Sequence, residues 1–280
     1  MATELPWEEH NIVVSGTTVY YSTTGHSSLP QVVLLHGFRS NHHGLDSIAA
    51  YLTGYRLIAP DIPGFGQTEP GAGRLTLEGQ AAVLNEFLAQ TVTGPYTLIG
   101  HSLGATIALL MSQQLVPERV GAVLMNPMAE TTQSVSGLAR SYLQIAAQLP
   151  DWAKRRWFGN KTMIWLGDHW IFRTGTRHSQ RAILTRDYNS LSELRPDVYI
   201  AIFQSYDTTD FDAAARRVTG AIYCIGGDSD PFVPKTKLLH LAQLIPDAEV
   251  QVLAGRGHLF PVEEPAYAAE LILEWLGKTH

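Results

Sequence analysis

Six short apolar runs recur along the chain, each apolar on both faces: Gln31 to Gly37 (QVVLLHG), Tyr55 to Asp61 (YRLIAPD), Tyr96 to Ser102 (YTLIGHS), Val120 to Pro127 (VGAVLMNP), Ala221 to Asp228 (AIYCIGGD) and Glu249 to Gly255 (EVQVLAG). Strands of a parallel sheet covered by helices on both sides read this way, because neither face meets water. Between them Thr76 to Gln90, Ala105 to Leu115, Lys235 to Ile245 and Glu264 to Leu276 carry apolar residues at intervals of three and four, the spacing of one buried helix face. This alternation predicts an α/β fold with a doubly wound, mostly parallel sheet. Ahead of it, NIVVSGTTVYYST alternates around Ser15 and Gly16, which predicts an antiparallel hairpin leading into the sheet.

The rhythm breaks from Met128 to about Arg217. This stretch has helix-like patterns, no strand-like run, and four of the six tryptophans: Trp152, Trp157, Trp165 and Trp170. It is too long for a loop and must have structure of its own. The expected organisation is therefore a core domain of residues 1–127 and 218–280 with a helical cap, residues 128–217, over one edge of the sheet. Within the cap, DWAKRRWF reads as a solvated helix in preference to an interfacial lid.

Composition narrows the function classes. A 45% hydrophobic and 16% charged chain of 280 residues is a globular protein able to bury a large core. Its net charge of −6 and scattered basic residues argue against nucleic acid as a partner. No apolar run approaches the ~18 residues of a membrane span, and the acidic start MATELPWEEH has no signal-like apolar segment, so a cytoplasmic location is the expectation. Cys224 stands alone, which excludes an internal disulfide, and its strand context reads as a small buried residue. No motif calls for a cofactor, and nothing in the sequence sets the oligomeric state.

The chemistry centres on Gly100-His101-Ser102-Leu103-Gly104, where a serine lies directly between a buried strand and a helix. Such a join demands a sharp turn with strained backbone, and small residues two places to either side let strand and helix approach. The turn lifts the hydroxyl above the C-terminal edge of the sheet, where ligands of open α/β sheets bind. A serine hydroxyl needs a base, and the base an orienting acid. His258, in AGRGHLFP after the last predicted strand, falls at the same sheet edge. His101 points away on so sharp a turn, His36 reads as structural, and His42 and His43 read as solvated. A metal site built on the NHH run finds no carboxylate at ligand spacing, so none is expected. For the acid, CIGGDSDPFVP offers Asp228 and Asp230, and either completes the chain order Ser–Asp–His.

With LLHGF, APDIPGFGQT, GHSLGA, GGDSDPFVP and GRGHLFPVEEP in this order, nearly the whole non-cap chain resembles a capped serine esterase of the α/β-hydrolase fold superfamily. The resemblance implies Ser102 as nucleophile, His258 as general base and acid, and Asp230, before Pro231, as its orienter. It implies an oxyanion hole from the backbone N–H groups of Phe38 and Leu103, and a structural part for Asp61. Asn126 stands at a strand end where some members keep the acid, and cannot supply a carboxylate. The serine argues against the dehalogenases and epoxide hydrolases of this fold, which attack with aspartate. What remains is hydrolysis of a small-molecule acyl substrate with an apolar group: an ester first, then a thioester, a lactone, an amide or a C–C bond, or a ligand receptor that keeps the triad. Candidate substrate contacts are Met128, Trp165 and Trp170, with Arg39 facing either a substrate carboxylate or a surface salt bridge.

Overall fold

The computed structural model describes residues 5–71, 75–114, 116, 118–129, 141, 144–162, 164 and 195–279. The expected hairpin opens it: β1 (Glu8–Val14) pairs antiparallel with β2 (Thr17–Thr24) through Ser15 and Gly16, both at positive φ as a two-residue hairpin turn requires. The six apolar runs are β3 (Gln31–Leu35), β4 (Arg56–Pro60), β5 (Tyr96–His101), β6 (Arg119–Met125), β7 (Ala221–Gly227) and β8 (Glu249–Leu253). They form one sheet in the order β1-β2-β4-β3-β5-β6-β7-β8. The pairings from β4 across to β8 are parallel, and β2 joins β4 antiparallel. Every residue of β3 and β5 is buried, which accounts for their unbroken apolar pattern.

Both faces are covered. One carries α2 (Leu77–Thr91), α3 (Leu103–Met111) and, once the later helices are counted, α7 (Lys235–Leu244), with Leu84, Phe87, Leu110 and Leu238 in a common core. The other carries the short α1 (Asp46–Ala49) and the C-terminal α9 (Pro265–Thr279), where Ile48, Leu52, Ile272 and Trp275 pack. Thr76 starts α2 as its N-cap, accepting from the Gly79 N–H at 3.1 Å. α3 runs from Leu103 to Met111, where the periodicity predicts Ala105 to Leu115, and it starts early because the turn at Ser102 feeds directly into it.

Between β6 and β7 the described residues include α4 (Asp151–Phe158), α5 (Pro196–Thr208) and α6 (Phe211–Arg216). α4 is the DWAKRRWF segment: Trp152 is 74% exposed while Phe158 turns inward against Tyr199 of α5. α5 packs against α2 and α4, whereas α6 packs against the sheet helices α3 and α7. Trp165 and Trp170 lie outside the described residues. A four-residue helix, α8 (Phe260–Glu263), precedes α9. Among the described residues no helix is long and apolar enough to cross a membrane.

The chain leaves β3 for β4 on one side, then crosses back over β3 to β5 and continues outward to β8. The carboxyl ends of β3 and β5 therefore flank a topological switch point, the place where an open α/β sheet forms a ligand crevice.

Candidate active site

Ser102 sits at that crevice with φ 54° and ψ −117°, a backbone region that costs a non-glycine residue about 1–3 kcal/mol. Its N–H donates to Met125 O of β6 at 2.9 Å, and its carbonyl accepts from Thr106 N at 3.0 Å as α3 starts. Close approach makes the strain possible. A Cβ on Gly100 would stand 2.6 Å from Ala105 N, and one on Gly104 would stand 2.5 Å from His36 O. Side chains essentially never come that near, so only glycine lets α3 rest on β5 and on the end of β3.

The three residues that the sequence nominated meet here. Ser102 Oγ lies 2.8 Å from His258 Nε2, and His258 Nδ1 lies 2.7 Å from Asp230 Oδ2. All three are at most 6% exposed. Asp230 Oδ1 accepts from the N–H groups of Phe232 (2.7 Å) and Val233 (3.0 Å). Burial pushes the Asp230 pKa up, but the positive charge and hydrogen bond available from His258, with these two N–H groups, outweigh it and hold the carboxyl below its usual value. An ionised Asp230 makes Nδ1 the protonated nitrogen and leaves Nε2 free to accept from the serine. Asp228 is engaged elsewhere: its Oδ1 accepts from Gly255 N at 2.7 Å.

Two neighbours lacked any signal of this role in the sequence. Asn126, at the end of β6 with φ 48°, donates from Nδ2 to Asp230 Oδ2 at 2.6 Å. His101 Nε2 lies 2.9 Å from the carbonyl oxygen of His258 and ties the histidine loop to β5. Phe232 sets its ring edge-on to the His258 imidazole, with centroids 5.1 Å apart.

Of the remaining candidates, Met128 is at the site, with Sδ 3.8 Å from Ser102 Oγ. Thr106 fixes it by donating to Met128 O at 2.8 Å, and the buried Tyr206 hydroxyl of α5 bonds the Thr106 hydroxyl at 3.2 Å. Leu103 is the first residue of α3, and Phe38 follows Gly37, whose Cβ position lies 3.6 Å from Ser102 Cβ. The Phe38 ring packs among Phe65, Tyr199 and Phe203. Arg39 (φ 58°) makes no surface salt bridge among the described residues, and its Nε and Nη2 are buried without a hydrogen-bond partner.

Behind this loop, His36 Nε2 accepts from Ile62 N at 3.0 Å, which gives that histidine its structural task. Asp61 is fully buried and accepts from His42 N, His42 Nδ1 and Gln67 N at 2.7–2.8 Å. The expectation that His42 is solvated fails, since an ionised buried carboxylate needs donors and draws this side chain inward. Cys224 is buried in β7 as expected, and burial pushes its thiol up to about 12.

Comparison with known proteins gives the same architecture. The chain is 25% identical over 265 residues to the magnesium-chelatase 30 kDa subunit of Rhodobacter capsulatus, covering 90% of this chain and 89% of the relative. It is 24% identical over 267 residues to the mouse (Mus musculus) sn-1-specific diacylglycerol lipase ABHD11, covering 92% and 84%. An esterase of Exiguobacterium antarcticum superposes with a TM-score of 0.82 at 19% identity, over 96% of this chain and all of that one. The family model for the alpha/beta hydrolase fold matches residues 30–265, and the chain belongs to that family.

Proposed function

We propose that this protein is a serine hydrolase that cleaves a carboxylic ester through an acyl-enzyme intermediate. The observation that carries the reading is the continuous hydrogen-bonded line Ser102–His258–Asp230, at 2.8 and 2.7 Å. Ser102 Oγ attacks the acyl carbon as His258 Nε2 takes its proton. Asp230 stays ionised and stabilises the resulting imidazolium. The backbone N–H groups of Phe38 and Leu103 receive the developing oxyanion, and one such donor is worth about 10²–10³ in kcat. His258 then protonates the departing alcohol, and a water activated by the same nitrogen releases the acid. Asn126 and His101 are positioning residues: one holds Asp230, the other the backbone of His258.

Met128 and Phe232 press on the nucleophile and the base, which supports an apolar acyl group over a strongly polar one. Residues 128–217 act as the cap in this reading, with α5 bringing Tyr199 and Phe203 against Phe38. The unpaired Arg39 nitrogens suit a carboxylate elsewhere on the substrate. The names of the relatives, a lipase and a structurally similar esterase, agree with ester chemistry. The test is a p-nitrophenyl ester panel with Ser102→Ala, His258→Ala and a serine-directed organophosphate. Labelling of Ser102 and a loss of roughly 10⁴-fold or more in kcat for either variant are expected. Adduct formation at another residue, or tight ligand binding without turnover, would refute it.

A further inference from the structure

The loop just beyond Phe38 holds a constellation that the Ser102 chemistry does not use. His42 is buried there, His43 is half exposed, and β1 brings the carboxylate of Glu9 in from the far edge of the sheet. His42 Nε2 lies 3.2 Å from Glu9 Oε2, and His43 Nε2 lies 3.8 Å from Glu9 Oε1. The three ligand atoms are mutually within 4.8 Å. A tetrahedral ion with bonds of about 2.0–2.1 Å sets its ligand atoms roughly 3.3–3.4 Å apart. The two contacts to Glu9, at 3.2 and 3.8 Å, lie close to that spacing.

Each group is also held from behind. His42 Nδ1 is 2.8 Å from Asp61 Oδ1, and His43 Nδ1 is 3.1 Å from Asp46 Oδ2. A carboxylate on Nδ1 keeps the hydrogen on that nitrogen and turns the Nε2 lone pair outward, the second layer that metal-bound histidines ordinarily have. Ser22 Oγ donates to Glu9 Oε1 at 2.8 Å and orients the third group. Two imidazole lone pairs thus converge on one carboxylate, within a cluster where three acidic side chains outnumber two histidines. Such a convergence is stable only with a positive charge between the nitrogens and the carboxylate, which a proton on Nε2 or one shared metal ion supplies, and the metal ion serves both imidazoles at once.

We propose that Glu9, His42 and His43 form a binding site for a divalent transition-metal ion of the zinc class, with water completing the coordination. Two imidazoles and one carboxylate favour such ions over magnesium or calcium, which take oxygen sets. The bound ion clips β1 to the loop that carries Phe38. It stands outside the Ser102–His258–Asp230 line, so the proposal is independent of the hydrolase reading.

The test uses the untagged full chain, stripped with chelator and dialysed, then titrated with Zn²⁺ by calorimetry and with Co²⁺ by visible spectroscopy. One equivalent of Zn²⁺, a tetrahedral Co²⁺ band and a Zn²⁺-dependent rise in Tm are expected. Glu9→Gln and His43→Asn, both at half-exposed positions, should abolish all three while leaving the metal-free Tm at the wild-type value. Asp46→Asn should weaken Zn²⁺ by about 10–100-fold. Absence of binding to the folded wild-type chain, or binding that survives both Glu9→Gln and His43→Asn, would overturn the proposal. The second result would assign the zinc to other histidines of the eleven present.

Discussion

Gly104→Ala gives the sharpest reading of how the fold serves the site. In the first turns of a helix this exchange ordinarily stabilises a protein by about 0.5–1 kcal/mol, because glycine gives up more backbone freedom on folding. Here the added Cβ would stand 2.5 Å from His36 O and nearer still to Leu35 O, where ordinary contact begins at 3.4 Å. Both obstacles are main-chain atoms, so rotamer changes cannot relieve them, and α3 must move about 1 Å from the end of β3. That displacement separates Ser102 and Leu103, which ride on α3, from Phe38, which follows β3. A misplacement of that size costs on the order of 10²-fold in rate, the same order as losing one oxyanion donor. The assay is kcat and KM on a p-nitrophenyl ester beside Tm, with Gly277→Ala as the control, since that Cβ meets nothing within 4 Å. Gly104→Ala should lower kcat by about 10²-fold and lower Tm, while Gly277→Ala should leave kcat unchanged. A Gly104→Ala enzyme with wild-type kcat and raised Tm would refute the reasoning.

Two further outcomes follow from the surroundings of Asp230. Asn126→Asp sets a second carboxylate where a donor stood 2.6 Å from Asp230 Oδ2, so one of the pair takes a proton. Its kcat should fall and the acid limb of its pH–rate profile should move to higher pH, whereas an unchanged profile would show that Asn126 does not act on the acid. The folded pKa of Asp230 lies below its unfolded value of about 3.9, so its ionised form adds stability that is present above that pH and lost as pH falls through the folded value. The stability gap between wild type and Asp230→Asn, from urea midpoints, should therefore hold steady from neutrality to about pH 5 and shrink below it. A gap that widens on acidification would contradict the assignment.

The inner strands β3 to β7 were readable because they are buried on both faces, whereas β8, expected to match them, is an edge strand with Glu249 and Val250 exposed; the hairpin was readable because Ser15 and Gly16 interrupt a clean alternation. Ser102 and His258 were readable because their motifs sit where strands end. Asp228 and Asp230 are two residues apart on one loop, and residue type alone cannot separate them. The Gly255 N–H that occupies Asp228 is supplied by the loop after β8, a contact that exists only once β7 and β8 pair. The same reason hid Asn126, His101 and Glu9, whose partners lie far off in the chain and meet across the sheet edge or its outer hairpin. His42 was misread because its loop is polar, while the demand of buried Asp61 for donors is invisible in local composition.

Sheet geometry explains why Asn126 and Asp230 must be considered together. Ser102 ends β5 and Asp230 follows β7, so β6 stands between them, and neighbouring strands are about 4.8 Å apart. The gap of roughly 10 Å is spanned by one imidazole and its two hydrogen bonds, and that imidazole is supplied by the loop after β8 and not by any of these three strands. The end of β6 then faces the Asp230 carboxylate directly, and a short side chain that donates there does not compete for His258. Asn126 meets that requirement, bonding the oxygen of Asp230 that also faces His258 Nδ1. An acid at the end of β6 would address the same imidazole from one strand nearer, so these two positions are alternative sites for a single carboxylate. Occupying both with aspartate gains no second orienter and adds a charge that the site must neutralise.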